Sequence, residues 1–195
     1  MNIILASTSK IRRTILANAG VPFAPEDPKF DEAQAKLSMM GLDAKTVALS
    51  LAVAKSKAVS LQVPSALVIG ADQTLDFHGR TFDKPSSLEE ASQQLVALRN
   101  GTHSLFSALC CSIAGKTIWT YCDEAKLTMR NFTNEFLERY LVEISNSYSS
   151  SVGGYKLEGY GITLFDHIEG DYFTIMGLPI LPLLNFLRQE KYIAS

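Results

Sequence analysis

No block of like charge, no long apolar run and no cysteine framework marks this sequence, and each absence removes a class of protein. Its 18 Lys and Arg against 20 Asp and Glu leave a formal net charge of −2 over 195 residues, so no broad field draws it to nucleic acid or to an anionic membrane. The longest apolar run, "LPILPLLNFL" at 178–187, is broken by Pro179 and Pro182 and is too short to cross a bilayer, and the apolar stretch after Met1 is only a few residues long. Neither a signal peptide nor a membrane span is expected, and the chain reads as cytoplasmic. Three cysteines, Cys110, Cys111 and Cys122, are odd in number and lack metal-type spacing, which reads as free thiols in apolar strands. The three histidines, His78, His103 and His167, form no HxxxH pair and no Ser–His–Asp arrangement, and no Walker motif is present. There is no internal repeat, low-complexity tract or interdomain linker, so 1–195 is expected to be a single domain, of generous size or as two small lobes sharing a core.

What is present alternates between strand and helix periods. Residues 2–6 read as a strand and 9–19 as a helix stopped by Gly20, with a polar loop through "PEDPKFDEAQ". Asp43 can cap a long helix to about Ser60, with Val47, Leu51, Val53, Ala54 and Ala58 on its apolar face. "SALVIGAD" reads as a buried strand ending at Asp72, and "TLDFHGRTF" as a hairpin turning at His78 and Gly79. Ser87 to Glu90 forms a capping box for a helix to about Arg99, residues 103–114 and 117–129 a second hairpin, and Thr133 caps a helix to about Ile144. "SNSYSSSVGG" reads as a polar loop, "ITLFDHI" and "YFTIM" as a strand pair around "EGD", and Pro179 as the start of a terminal helix. The mixture predicts an α/β domain with a long mixed β-sheet and helices packed on it.

Several residues could carry chemistry. "LASTSKIRR" places Lys10, Arg12 and Arg13 at a helix N-terminus, where the partial positive charge disfavours cations. Either they fan into solvent, or a strand, a small-residue turn and a helix start here form an anion site, most naturally for phosphate. Asp72, at the carboxyl end of its strand, is a metal ligand, a general base or an ordinary strand cap. Lys84 in "FDKP" can reach back toward that strand end or pair with Asp83 in solvent. On the long helix Lys55 falls near the apolar face and Lys57 does not, so Lys55 is the one that can enter a cleft. Glu32 in "FDE" either joins Asp72 around a divalent ion or is solvated. "GGYKLEGYG" sets Tyr155, Lys156 and Glu158 among glycines that permit close approach to a ligand or merely a tight turn.

Taken in order, "LASTSKIRR", "FDE", "LAVAKSKA", "IGADQT", "DKP", "GTH", "GGYKLEGYGITLF", "EGD" and "GLP" resemble the Maf family of nucleotide pyrophosphatases over nearly the whole chain. The resemblance implies a Maf/ITPase-like fold with two lobes around a nucleotide groove. It also implies splitting of a nucleoside triphosphate between the α and β phosphates, with Mg²⁺ or another divalent metal such as Mn²⁺ or Co²⁺. By it, Ser7, Arg12 and Arg13 would bind phosphates and Asp72, Lys55 and Lys84 would be catalytic. Glu32 and Asp72 would serve the metal, and Tyr155 and Glu158 would meet the base. It implies a small-molecule partner and a possible homodimer. Many members carry Asp-Lys-Ala-Gly and then Gln where this chain has Ser150, Ser151, Val152 and Gly153 and then Glu158. "YKLEGYGITLF" is instead similar to the branch acting on 7-methylguanosine triphosphate, although Ile11 stands where that branch often has Trp. The alternatives are a dTTP/UTP-type pyrophosphatase or a noncatalytic nucleotide-binding regulator of cell division.

Overall fold

Four consecutive buried residues form β1 (Ile3–Ala6) in the computed structural model, which describes residues 2–194. Burial on both faces is what a strand with parallel neighbours needs, and β1 pairs in parallel with both β2 (Ala24–Glu26) and β3 (Leu67–Phe77). Between them run α1 (Lys10–Asn18), α2 (Glu32–Leu37) and α3 (Ala44–Gln62). The chain continues through β4 (Arg80–Phe82), α4 (Leu88–Leu98), β5 (Thr102–Ile113), β6 (Lys116–Met129) and α5 (Asn134–Glu143). It ends in β7 (Phe165–Glu169), α6 (Tyr172–Ile175) and α7 (Ile180–Gln189). Seven strands form one mixed sheet among the described residues, in the order β2-β1-β3-β5-β6-β7, with β4 antiparallel on β3 and β7 antiparallel on β6. The α/β architecture with a long mixed sheet is the one expected. No described helix is long and apolar enough to cross a membrane.

The chain divides into two compact units. The first takes the residues up to Gln73, Phe106–Asp123 and everything from Asp171 on; its core includes Leu5, Leu16, Leu51, Leu67, Ile69, Leu109 and Leu183. Here α3 lies so close to β3 that a Cβ on Gly70 would stand 2.2 Å from the Ala52 carbonyl oxygen. Glycine is what permits that approach. The second unit takes Thr74–Leu105 and Glu124–Gly170, with Leu75, Leu95, Leu98, Leu105, Leu127, Phe132 and Tyr140 at its core.

The local signals hold for most elements. Asp43, Ser87 and Thr133 each accept the backbone N–H three residues on, capping α3, α4 and α5. His78–Gly79 and Ala114–Gly115 all have positive φ, as two-residue hairpin turns require. Three expectations are corrected. The strand ending at Asp72 instead runs on to Phe77 as one element with the first arm of the hairpin, because Lys55 partners the carboxylate that would otherwise disfavour a strand interior. The polar loop at 25–34 contains the parallel edge strand β2 and runs into α2, which is capped by Asp31 and buries none of its residues, so it has no apolar stripe to betray it. "YFTIM" is no strand: Asp171 accepts from the N–H groups of Phe173 and Thr174 and starts α6, while "ITL" lies in a 3-10 turn. The "SNSYSSSVGG" segment likewise holds two short 3-10 turns. Cys110, Cys111 and Cys122 are free thiols, the first two buried.

Candidate active site

In the first unit four elements aim charged side chains at one place. Asp72 stands in the middle of β3 and is 5 % exposed. Lys55 of α3 is half-buried, whereas Lys57, two residues on and on another face of the helix, is exposed. Its Nζ donates to Asp72 Oδ1 at 2.5 Å and to Glu32 Oε2 at 2.7 Å. Glu32 is the first residue of α2 and also pairs with Lys36 one turn on, at 2.9 Å. Arg12, from the first turn of α1, donates from Nε to the Gly177 carbonyl and from Nη1 to the Ala71 carbonyl, both at 2.8 Å.

The electrostatics follow from this arrangement. Burial pushes the Asp72 carboxyl above its ordinary range, while Lys55 and Arg12 pull the other way. Burial also opposes charge on Glu32, but Lys55 and Lys36 outweigh it and hold that carboxyl at about 2. Burial lowers the Arg12 guanidinium, and Asp72 and Glu32 counter it. The negative charge that the cations of α1 call for is thus supplied, for Arg12, by two carboxylates of the protein itself. The Lys55 bond falls on Oδ1 of the Asp72 carboxylate. Ser7, buried just after β1, accepts the Ser9 N–H at 3.2 Å, and Arg13 donates to the Thr8 carbonyl at 2.9 Å.

The remaining expected residues belong to the second unit. Lys84 is exposed between β4 and α4. Glu158 is exposed in the loop that follows Tyr155, and no described residue hydrogen-bonds its carboxylate. Two residues on, Tyr160 is 46 % exposed, with its ring stacked on Tyr140 at 5.7 Å and on Phe136 at 6.3 Å between centroids.

Set beside known proteins, residues 2–190 match the family model described as Maf-like protein. The chain belongs to the Maf family. This Maf chain is 46% identical to a 7-methyl-GTP pyrophosphatase of Rhizobium johnstonii, over 96% of this chain and 95% of that protein. It is also 46% identical to a nucleoside triphosphate pyrophosphatase of Caulobacter vibrioides, over 95% of this chain and 94% of that one. A solved HAM1 protein from Coxiella burnetii aligns with a TM-score of 0.43 at 14% identity, covering 68% of this chain and 74% of that one.

The Maf fold brings Arg12, Glu32, Lys55 and Asp72 together, and it removes Tyr155 from the part expected of it. The Tyr155 ring is 4 % exposed and lies edge-on to Phe165 at 4.9 Å, so it offers no face to a base. Tyr160 presents the exposed ring instead. Two polar residues of the Maf chain were missed as supports. Gln73 Nε2 lies within hydrogen-bond range of Ser107 Oγ and of the Thr174 and Ile175 carbonyls, tying β3 beside Asp72 to α6. His103 bonds Tyr155 from β5. Their signal was position, in "ADQT" and "GTH", with nothing local to give the partners.

Proposed function

We propose that this Maf protein hydrolyses 7-methylguanosine triphosphate, or a closely related guanine nucleotide, to the monophosphate and pyrophosphate. The chain is a nucleoside triphosphate pyrophosphatase, a hydrolase acting on phosphoric anhydrides, as its family and near-full-length relatives are. Cleaving a phosphoanhydride requires charge neutralisation and an aligned water more than covalent chemistry. Asp72 orients the water and takes its proton; a carboxylate raised by burial is a better base than an exposed one. Lys55 and Arg12 place positive charge near that carboxylate and oppose the effect of burial on it, and Lys84 neutralises charge growing on the leaving pyrophosphate. Ser7 and Arg13, at the start of α1, hold phosphate oxygens.

Glu32 and Asp72 would hold a divalent cation, Mg²⁺, Mn²⁺ or Co²⁺. Their carboxylates converge on a single ammonium, with no further His, Cys, Asp or Glu completing a metal cluster among the described residues. One or two carboxylates completed by substrate phosphates and water suit such an ion. When bound, it supplies neutralisation of the phosphate charge.

The observation that carries the base preference is the exposed, unbonded Glu158 carboxylate two residues before the exposed Tyr160, whose ring is backed by Tyr140. Guanine offers N1–H and the N2 amino group side by side, a pair of donors that a carboxylate accepts together. Uracil and thymine offer one donor between two acceptors, which a Gln amide suits better. A 7-methyl group adds positive charge to the ring and strengthens both the carboxylate contact and stacking on Tyr160. The name of the Rhizobium relative supports the same choice. The test is kcat/KM for 7-methylguanosine triphosphate, UTP and dTTP on the parent and on Glu158→Gln. The parent prefers the methylated guanine nucleotide and the variant narrows that preference roughly tenfold, from about 1 to 3 kcal/mol of lost discrimination. A parent that prefers UTP or dTTP refutes the assignment.

A further inference from the structure

We infer that His103 is a positioning residue for base discrimination, acting through its hydrogen bond to Tyr155 to fix the loop that presents Glu158. This rests on the reading of Glu158 given above. His103 is 1 % exposed on β5, and its Nε2 lies 2.6 Å from the Tyr155 hydroxyl. Its ring also lies 5.9 Å from that of Phe165, while Nδ1 is buried with no partner among the described residues. A site serving only to fill space would be better filled by Phe or Leu, because an orphaned ring nitrogen costs stability without adding packing. Burial holds the imidazole down at about 4, so it is neutral around pH 7 and shares a single hydrogen with the phenol.

The loop beyond Tyr155 has no slack to absorb a shift of that anchor. On the near side Ser151 Oγ donates to the Tyr155 carbonyl, and a Cβ on Gly153 would stand 2.9 Å from Tyr155 Cε1. On the far side Gly159 N–H donates to the Lys156 carbonyl at 3.3 Å, and a Cβ on Gly161 would stand 2.3 Å from that oxygen. Leu157 is buried between them, so Glu158 is the residue turned outward. A carboxylate that must meet two adjacent donors tolerates a displacement of only about 0.5 Å, which makes the anchor of its loop a determinant of selectivity.

The experiment compares kcat/KM for 7-methylguanosine triphosphate and UTP in the parent, His103→Phe, Glu158→Gln and the double variant, with Tm for each. The ratio of the two nucleotides falls about three- to tenfold in His103→Phe, the fold-change of one net hydrogen bond. Adding His103→Phe to Glu158→Gln changes the ratio no further, since the two act on one contact. A His103→Phe protein that lowers both nucleotides equally, or loses Tm with its ratio intact, overturns the inference and leaves the Glu158 reading standing. An unchanged ratio in Glu158→Gln overturns both. Should His103→Phe fail to fold, Tyr155→Phe deletes the hydroxyl alone and is read in the same way.

Discussion

Asp72→Asn removes one charge from the centre of the Arg12–Glu32–Lys55–Asp72 cluster while keeping the side chain's shape. An amide oxygen can still accept from Lys55 Nζ, which stands 2.5 Å from Asp72 Oδ1, and Lys55 retains Glu32 at 2.7 Å. Arg12 keeps the carbonyls of Ala71 and Gly177. No cation is orphaned, and burial already disfavours the ionised form of Asp72. The stability change is therefore about 1 to 2 kcal/mol, below the 3 to 5 kcal/mol for a buried pair stripped of its only partner. Turnover responds differently. An amide cannot take a proton, and a positioned base contributes roughly 10² to 10⁴ in rate, or about 3 to 5 kcal/mol of barrier. The pH dependence has a definite sign as well. Burial raises the parent carboxyl against the pull of Lys55 and Arg12, so parent kcat climbs with pH along an acid limb lying above the ordinary carboxylate range. The variant lacks that limb. Pyrophosphate release as a function of pH, with Tm measured in parallel, reads all three quantities. A folded Asp72→Asn protein that turns over within about tenfold of the parent, with the same acid limb, refutes the assignment of Asp72 as base.

Three further outcomes are expected. Arg12→Lys loses two directed bonds to the Ala71 and Gly177 carbonyls, which an ammonium cannot reproduce, and lowers stability by about 2 kcal/mol together with kcat; an unchanged denaturation midpoint contradicts this. Gly70→Ala drives a Cβ to 2.2 Å from the Ala52 carbonyl and 2.7 Å from Ser56 N, both backbone atoms of the helix that carries Lys55. It should cost about 3 kcal/mol or more, and a variant with the parent Tm would show that α3 yields freely. Glu32 is held at about 2 in the folded chain against an ordinary 4.5, so its stabilisation is present above 4.5 and is lost as pH falls toward 2. Glu32→Gln therefore flattens the acid limb of the stability curve in that window, and superimposable acid-unfolding curves would exclude the effect.

Helix caps and hairpin turns were legible because their signals are local. Asp43, Ser87 and Thr133 bond N–H groups three residues away, and the His78–Gly79 turn lies between its own strands. Helical phase separated Lys55 from Lys57 for the same reason. Local signals fail where tertiary partners override local preference. Asp72 looked like a strand end until Lys55, 17 residues earlier, is seen to partner it within the strand. Nothing in "KIRR" indicates that Arg12 bonds a carbonyl 165 residues later. Tyr155 sat in a motif rich in glycine and read as a ligand face, whereas its hydroxyl is matched to His103, 52 residues back on β5. The motif order conveyed the family; it could not convey which aromatic of "YKLEGY" is buried and which is exposed.

The measurement that bears most directly on the central claim is product analysis of 7-methylguanosine triphosphate turnover in 18O-labelled water with Mg²⁺, run beside UTP and dTTP. Hydrolysis between the α and β phosphates yields pyrophosphate and 7-methylguanosine monophosphate in equal amounts, with kcat/KM highest for the methylated nucleotide. Release of inorganic phosphate and a nucleoside diphosphate, or no turnover of any of the three nucleotides, would contradict it.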